Sequence, residues 1–202
     1  MTPELEAKFH APSDEDLARL LSDRAFCRVE PVGELAMGAR YFDRPDGALR
    51  QNRMALRLRR EGERTVCCLK LRGTREGAFS ARPEFEAEAP SLQEGVDRLL
   101  CLSLPLEAAA LLRDTSFVEL CTMDFSRRRW LARTAGGIAA EISLDRGAMS
   151  GPLGARPIDE LEMERKAGGE NAFFSLCADL SARHGLVPLA ESKFSRAAAL
   201  WA

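Results

Sequence analysis

The sequence predicts an α+β domain in which an antiparallel sheet of eight or more strands curls into a closed or nearly closed barrel with flanking helices. Three observations favour this fold class. Apolar and charged residues alternate with period two along most of the chain, Gly- and Pro-rich turns separate the alternating segments, and helical patterns are few. Antiparallel sheets with this many strands in one domain tend to curl and close on themselves.

The predicted strands are ten segments that alternate with period two. They are 3–10, 26–33, 38–44, 53–60, 64–72, 81–89, 116–125, 127–134, 137–145 and 158–167. Turn-forming residues separate several of them, as at Glu61-Gly62, Gly73–Ala78, Gly136-Gly137 and 146–157. Short strands joined in this way are typical of antiparallel pairing.

Five helices are predicted between or after the strands. Ser13 with Asp16, and Ser91 with Glu94, have the spacing of capping boxes and predict helices over 14–23 and 92–101. Pro105 suits the first turn of a helix over 105–113. A longer helix is predicted over 171–184, and a short one is expected from residue 195 onward.

The whole chain, 1–202, is predicted to be one domain, because no linker, repeat or low-complexity segment divides it. A net charge of −2 gives no overall attraction to nucleic acid or membrane, so neither partner is expected. The N-terminal sequence MTPELEAKF lacks the basic and apolar regions of a signal peptide, and we therefore expect a cytoplasmic location. The six cysteines form no CxxC pair and are predicted to be small buried residues without disulfides or zinc.

Seven predicted strands have one charged and one apolar face, because residues i and i+2 of a strand point the same way, about 6.6 Å apart. In the first strand Glu4, Glu6 and Lys8 alternate with apolar residues. The other charged faces comprise Arg57 and Arg59; Lys70 and Arg72; Arg82, Glu84, Glu86 and Glu88; Arg127 and Arg129; Glu141 and Asp145; and Glu160, Glu162 and Glu164.

Two interpretations of these faces are open. An ordinary half-buried sheet also alternates apolar and polar residues, and its charged face lies in solvent. The grouping of like charges favours a functional site instead, since one strand is triply acidic and another presents two arginines. Like charges at this spacing repel each other unless a group of opposite sign lies between them, which indicates a bound metal for the acids and a bound anion for the arginines.

The first of these strands, ELEAK at 4–8, resembles the ExExK opening of the CYTH superfamily, which includes class IV adenylate cyclases, thiamine triphosphatases and inorganic triphosphatases. Later segments resemble further family motifs in family order. They are YFDRPDGAL (41–49), MALRLRREG (54–62), CLKLRG (68–73), RPEFEAE (82–88), MDFSRRRW (123–130), EISLDRGAMSG (141–151), IDELEMERKAG (158–168) and SKFSR (192–196). The chain most resembles the bacterial inorganic triphosphatases, and we expect it to lack the accessory helical domain that is often fused to them.

The resemblance implies an eight-stranded antiparallel tunnel whose charged faces point inward, with Mg²⁺ or Mn²⁺ as cofactor. The metal ligands it implies are Glu4, Glu6, Asp145, Glu160, Glu162 and Glu164, and which two of the last three touch metal is left open. The phosphate-binding residues it implies are Lys8, Arg57, Arg59, Lys70, Arg82, Arg127, Arg129 and Lys193. Glu84, Glu86 and Glu141 are expected to orient these cations.

Tyr41 and Lys70 match a tyrosine and lysine pair that serves as the catalytic base in thiamine-triphosphatase relatives. A packed aromatic ring with a hydrogen-bonded hydroxyl is an equally open interpretation of Tyr41. Lys70 is expected to lie among other cations, and we therefore expect its proton affinity to be lowered.

The function implied is divalent-metal-dependent hydrolysis of inorganic tripolyphosphate or a related small-molecule triphosphate. The alternatives are a thiamine triphosphatase, a class IV adenylate cyclase, and a non-catalytic module that binds polyphosphate or nucleotide. The sequence leaves open the preferred metal, the cellular substrate and the oligomeric state, monomer or homodimer.

Overall fold

The computed structural model of the protein describes residues 4–113 and 116–201, so residue 3, the first of the first predicted strand, lies outside the described part. Its strands are β1 (Glu4–His10), β2 (Arg28–Asp43), β3 (Ala55–Glu61), β4 (Arg64–Lys70), β5 (Thr74–Glu76), β6 (Phe79–Arg82), β7 (Glu84–Glu88), β8 (Val118–Arg133), β9 (Ala139–Gly151) and β10 (Gly154–Ala167). Its helices are α1 (Asp14–Leu21), α2 (Ala48–Gln51), α3 (Leu92–Leu100), α4 (Leu106–Arg113), α5 (Glu170–His184) and α6 (Lys193–Ala198). None of these helices is both long enough and apolar enough to cross a lipid bilayer.

The strands form one antiparallel sheet in the order β5-β6-β1-β10-β9-β8-β2-β3-β4-β7. The α+β class and the curled antiparallel sheet are confirmed. The predicted full closure of the barrel needs a correction, because no ladder of hydrogen bonds joins the two ends of this order within the described residues. The gap falls at Pro83, which has no backbone N–H to donate.

The chain itself bridges this gap. β6 pairs with β1, and β7, which continues directly after Pro83, pairs with β4. The Pro83 carbonyl also accepts a hydrogen bond from the Leu71 backbone N–H at 3.0 Å. If β6 and β7 are counted as one bent strand, eight strands surround a lumen, and β5 is an additional edge strand.

Several predicted breaks are absent from the structure. The segments predicted as 26–33 and 38–44 form the single strand β2, whose register shifts between Pro31 and Gly33. The two predicted strands 116–125 and 127–134 likewise form β8. The sequence predicts a loop over the Gly-rich stretch 146–157. Most of this stretch instead extends β9 and β10 into a long hairpin, which turns between Gly151 and Gly154.

The helices begin close to where their caps predict. The hydroxyls of Ser13 and Ser91 accept hydrogen bonds from the backbone N–H groups of Asp16 and Glu94. α5 ends at Gly185, which has φ +63° and supplies the left-handed backbone that ends a helix. The four-residue helix α2 and the strand β5 have no counterpart among the predicted elements.

The apolar faces of the strands point outward and are covered by helices. α1 and α5 cover β1, β9 and β10 through a core that includes Phe9, Ile142 and Leu161. α3 and α4 cover β3 and β4 through a second core around Leu56 and Leu69. This arrangement leaves the charged faces of the same strands for the inside of the barrel.

The cysteines partly follow the prediction. All six are free thiols; Cys67, Cys68, Cys121 and Cys177 are buried, whereas Cys27 and Cys101 are exposed. Cys67 lies beneath Gly95 of α3, at the closest approach of that helix to the sheet. A Cβ atom at residue 95 would lie 2.2 Å from the Cβ of Cys67.

We predict that Gly95→Ala lowers the free energy of unfolding by about 1 to 3 kcal/mol, because the added methyl group overpacks the contact with Cys67. An exposed helical Gly→Ala change would instead stabilise by about 1 kcal/mol. The measurement is urea denaturation of the wild type and the variant. The control is Gly136→Ala, where the nearest atom lies 3.8 Å from the position that a Cβ would occupy, and which should change stability little.

Candidate functional site

The charged faces of the strands meet around one enclosed cavity in the middle of the barrel. Leu56 of β3 is fully buried in the outer core, and the alternation therefore turns Arg57 and Arg59 towards the lumen. Seven cationic side chains line the cavity, from Lys8, Arg57, Arg59, Lys70, Arg82, Arg127 and Lys193. Four carboxylates also line it, from Glu4, Glu6, Glu162 and Glu164.

Strand register brings like charges together across β1, β10 and β9. Glu164 is the direct cross-strand neighbour of both Glu6 and Glu141, so three carboxylates form a row across three strands. The next residue on the same face of β10, Glu162, lies beside Lys8 and Ser143. Carboxylates directly opposite each other destabilise a sheet unless cations compensate for them.

The structure places the sequence-predicted residues in three groups. Twelve line the central cavity, namely Tyr41 together with the seven cations and the four carboxylates. Four line a second, more open cavity at one end of the barrel, which we call the acidic mouth; they are Glu84, Glu86, Arg129 and Glu141. The last two, Asp145 and Glu160, have no exposed surface and line neither cavity.

Asp145 and Glu160 are held by cations beneath the cavity. Arg127 makes a two-pronged contact with Asp145, with N···O distances of 2.7 and 2.6 Å. The Nζ atom of Lys193 lies 2.8 Å from Asp145 and 3.0 Å from Glu160, and Arg196 also pairs with Glu160. Both carboxylates are predicted metal ligands, and a metal would have to replace these cations to reach them.

The three predicted orienting carboxylates each contact a predicted phosphate-binding cation. Glu84 lies 3.2 Å from Arg57 and 2.9 Å from Lys70. Glu86 lies 2.8 Å from Arg59. Glu141 lies 3.9 Å from Arg129. These contacts hold the guanidinium groups against the wall of the lumen.

The expectation of a lowered proton affinity for Lys70 is wrong in this structure. Burial alone would lower the pKa of Lys70, but the carboxylates of Glu4, at 2.6 Å, and Glu84 raise it above its ordinary value. Lys8 and Lys193 behave in the same way, because the effect of nearby carboxylates on their pKa values exceeds that of burial. The lumen lysines are therefore ammonium cations at neutral pH.

The carboxyl group of Glu164 has a pKa above its ordinary value. Burial raises its pKa, and the neighbouring carboxylates Glu4 and Glu141 raise it further, although Lys166 at 2.7 Å opposes them. A divalent cation among Glu4, Glu6 and Glu164 would relieve this repulsion, and carboxylate oxygens are the donors that Mg²⁺ and Mn²⁺ prefer. The residues present on this side of the lumen therefore fit a hard divalent metal.

A different group has three potential ligand atoms already close together. Among the described residues, Cys68, Glu84 and Glu86 have ligand atoms within 4.8 Å of one another. Burial raises the pKa of the Cys68 thiol to about 12, so it stays protonated and is a poor ligand at neutral pH. Both glutamates are paired with arginines, and Glu4, Glu6 and Glu164 are likewise paired with lysines, so the protonated thiol alone makes this group the less suited of the two to a hard metal.

Sequence reasoning missed the apolar part of the cavity wall. Met37 and Ala39 of β2, and Met123 and Phe125 of β8, line the lumen on the same faces as Tyr41 and Arg127. The period-two alternation that located Arg127 also includes these residues. Phe194 of α6 stacks on Tyr41 with ring centroids 5.1 Å apart, a long-range contact that no local pattern indicates.

Known proteins that resemble this chain indicate one family of domains. The model of the CYTH domain family matches residues 2–198. An inorganic triphosphatase of Haemophilus influenzae is 26% identical over 162 residues, which cover 80% of this chain and 45% of that protein. The chain thus spans about half the length of this curated relative.

Solved structures share the fold. A Hippeastrum protein, described as an adenylyl cyclase candidate with a dominant triphosphatase activity, superimposes with a TM-score of 0.63 at 22% identity, over 95% of this chain and 93% of its own. The PH1819 protein of Pyrococcus horikoshii gives a TM-score of 0.58 at 18% identity, over 95% and 96% of the two chains. An adenylate cyclase candidate of Bacillus halodurans gives 0.56 at 20% identity, over 97% and 98%.

The charge pairs at the lumen predict a pH effect on stability. Burial alone would raise the pKa of Glu84, but Lys70 and Arg57 lower it from 4.5 to about 2. The unfolded chain therefore binds this proton more readily than the folded one. The stabilisation is complete above pH 4.5 and is lost as the pH falls towards 2.

We predict that Glu84→Gln lowers the free energy of unfolding at pH 7 by about 2 kcal/mol and flattens its decline as the pH falls from about 4.5 to about 2. Urea denaturation across this pH range measures both effects. Glu88→Gln, an exposed change on the same face of β7, is the matched control and should stay within about 0.5 kcal/mol of the wild type. Parallel pH profiles for Glu84→Gln and the wild type would contradict the prediction.

Proposed function

The chain belongs to the CYTH domain family, whose model matches residues 2–198, and from this premise we propose that it hydrolyses inorganic tripolyphosphate or a closely related triphosphate with a divalent metal. The supporting similarity to an inorganic triphosphatase covers 80% of this chain.

One observation supports the proposal most directly. The surface of the central cavity presents seven cations and only four carboxylates, because Glu84, Glu86, Asp145 and Glu160, which also pair with these cations, lie outside its lining. An excess of cations at the surface of a cavity with low-dielectric walls favours the binding of a small polyanion, with the acids behind the lining holding the cations in place. A short phosphate chain supplies several negative charges in a narrow, linear shape that fits a barrel interior.

The arginines have free hydrogen-bonding capacity for such a ligand. The Nε–H groups of Arg57 and Arg129 are buried and have no hydrogen-bond partner among the residues that the structure describes. A buried donor without a partner costs about 1 to 3 kcal/mol, which phosphate oxygens would recover by accepting from it. Guanidinium groups also match phosphate in a two-pronged geometry.

In the proposed reaction the protein acts through position and charge. Arg57, Arg59 and Arg127 hold the phosphates from β3 and β8, and Lys8, Lys70 and Lys193 add point charges that stabilise the negative charge on the leaving phosphate. Glu4, Glu6 and Glu164, with Glu162 adjacent, would hold a divalent metal, which would supply Lewis-acid chemistry for the phosphates and for an attacking water. Asp145 and Glu160 could join these metal ligands only if Lys193, which pairs with both, turned away from them towards the substrate.

Lys70 acts in this proposal as a phosphate-binding cation, since its raised pKa does not suit a general base. Tyr41 keeps a place in the site, because its hydroxyl lies 3.5 Å from Nη1 of Arg57. We assign Tyr41 the role of positioning Arg57. The apolar residues beside Tyr41 keep bulk water away from the phosphates, which strengthens the charge contacts within the cavity.

The apolar wall also favours a second candidate, an organic triphosphate such as thiamine triphosphate or ATP. Met37, Met123, Phe125 and Phe194 offer an apolar surface to a ring attached to the triphosphate. Phosphate release from tripolyphosphate, thiamine triphosphate and ATP, assayed side by side with Mg²⁺ and with Mn²⁺, distinguishes the two. We expect tripolyphosphate to have the highest kcat/KM, and a preference of tenfold or more for an organic substrate would favour the second candidate.

The same substrate panel also distinguishes a cyclase and a binding module from a hydrolase. Cyclic AMP formed from ATP would identify a class IV adenylate cyclase. Tight binding of tripolyphosphate without hydrolysis, with either metal, would indicate a non-catalytic binding module. Full activity in the presence of excess chelator would contradict the proposed metal dependence.

We predict that Arg59→Gln lowers kcat/KM for tripolyphosphate by about a hundredfold, because it removes a charged donor from the cavity. Arg60→Gln is the matched control, since Arg60 is the next residue of β3, points to the opposite face and is exposed. The control should keep its activity within about twofold. Equal losses in the two variants would show that the lumen face of β3 does not bind substrate.

A further inference from the structure

The two ends of the barrel differ in charge. The acidic mouth is lined by six glutamates and four cations, and it adjoins the central cavity through Glu4, Arg59 and Arg127. The opposite end opens into a cavity that we call the basic mouth. It is lined by Arg50, Arg53, Arg72 and Arg82, and no acidic residue lines it within the described part of the chain.

The basic mouth is continuous with the central cavity. Ser80, Arg82, Ser192 and Phe194 line both spaces. β3 passes from one end to the other, because Arg53 just precedes this strand at the basic mouth and Glu61 ends it at the acidic mouth. The six residue steps from Ala55 to Glu61 correspond to about 20 Å.

Three of these arginines differ from those inside the lumen. Arg50, Arg53 and Arg72 are exposed, and no carboxylate pairs with them within the described residues. The lumen arginines Arg57, Arg59 and Arg127, in contrast, each pair with a glutamate or aspartate. The three positive charges at the mouth are therefore free to attract an anion.

The protein holds these arginines in place by contacts to their backbone. The buried carboxylate of Asp43 accepts hydrogen bonds from the backbone N–H groups of Leu49 and Arg50, which fixes the short helix α2 at the mouth. The Arg82 guanidinium donates to the carbonyls of Leu71, at 2.9 Å, and Arg53, at 3.2 Å. It thereby ties together the segments from which Arg53 and Arg72 extend.

Arg53 itself has φ +57°, a left-handed conformation that costs a non-glycine residue about 1 kcal/mol or more. The Arg53 backbone N–H donates to the Arg50 carbonyl at 2.9 Å, so one turn fixes the backbone from which both side chains extend. The mouth is thus a structured surface and not a random group of exposed arginines.

We propose that the basic mouth binds the distal phosphates of a linear polyphosphate longer than three units, whose terminal phosphates occupy the central cavity. This inference rests on the proposed function, since it places the reacting end of the chain in the lumen. The cations that line the central cavity match a short phosphate chain, and Arg50, Arg53 and Arg72 lie where further phosphates would emerge.

Single-stranded nucleic acid, another linear polyanion, fits the mouth less well. Proteins that bind it use aromatic side chains on which bases stack. The described lining of the basic mouth includes one aromatic residue, Phe194, and its ring is already stacked on Tyr41. The chemistry of the mouth therefore favours a chain of phosphates without bases.

The test compares tripolyphosphate with long-chain polyphosphate as substrates of the wild type and of the double variant R50A/R72A. We expect kcat/KM for the long chain to fall by about three- to tenfold, because two exposed charge contacts are lost. Tripolyphosphate does not reach the mouth, so its kcat/KM should stay within twofold. The control is R24A/R113A, which removes two exposed arginines that do not line the mouth and should leave both substrates unchanged.

A binding experiment separates this inference from the proposed function. Fluorescence anisotropy of labelled long-chain polyphosphate without metal measures affinity in the absence of hydrolysis, with tripolyphosphate and a single-stranded oligonucleotide as competitors. The wild type could bind the long chain more tightly than R50A/R72A and yet hydrolyse neither substrate. That result would contradict the proposed function and support polyphosphate binding at the basic mouth.

Three outcomes would overturn the inference. Equal losses for both substrates in R50A/R72A would place these arginines in the triphosphate site. Unchanged affinity for the long chain would show that the mouth does not bind it. An oligonucleotide that competes as well as polyphosphate does would show a general anion-binding surface.

Discussion

Charge compensation inside an enclosed lumen is the constraint on which the rest of the structure depends. Removing an ion from water costs several kcal/mol, so each buried cation and carboxylate of the barrel needs an opposite charge or a ligand. Lys193 shows this most clearly, because its ammonium group lies within 3.0 Å of carboxylate oxygens on Asp145, Glu160 and Glu162. Loss of one member of such a cluster leaves several others uncompensated.

The outer layers of the protein make this interior possible. β1, β9 and β10 place apolar faces against α1 and α5, and β3 and β4 place theirs against α3 and α4. The burial of those faces offsets the cost of the ionic lumen. The C-terminal helix α6 then closes one side of the cavity with Lys193 and Phe194. In the proposed function, phosphate oxygens would take the place of glutamates beside the arginines, and a metal would take the place of lysines beside the glutamates.

Local patterns in the sequence predicted the faces of the strands well. The alternation of Leu56, Arg57, Leu58 and Arg59 is sufficient to place the two arginines opposite the outer core, and the same rule places Glu162 and Glu164 in the lumen. It could not predict how the barrel closes, because the two halves of one strand pair with different partners on either side of Pro83. Nor does alternation predict α2, which depends on hydrogen bonds to the buried Asp43. The proton affinity of Lys70 shows the same limit, since the motifs suggested surrounding cations but its nearest charged groups in space are the carboxylates of Glu4 and Glu84. The basic mouth was missed for a related reason, because Arg50, Arg53 and Arg72 belong to no single strand face and only the turn after α2 and the end of β4 bring them together.

We propose that the charges of the lumen are fully neutralised only when a triphosphate and a divalent metal are bound together. The most direct measurement is the melting temperature of the wild-type protein alone, with Mg²⁺, with tripolyphosphate, and with both at about a hundred times their dissociation constants. We predict that the combination raises the melting temperature by about 5 to 10 °C, more than either ligand does by itself. An unchanged melting temperature with both ligands present would contradict this claim.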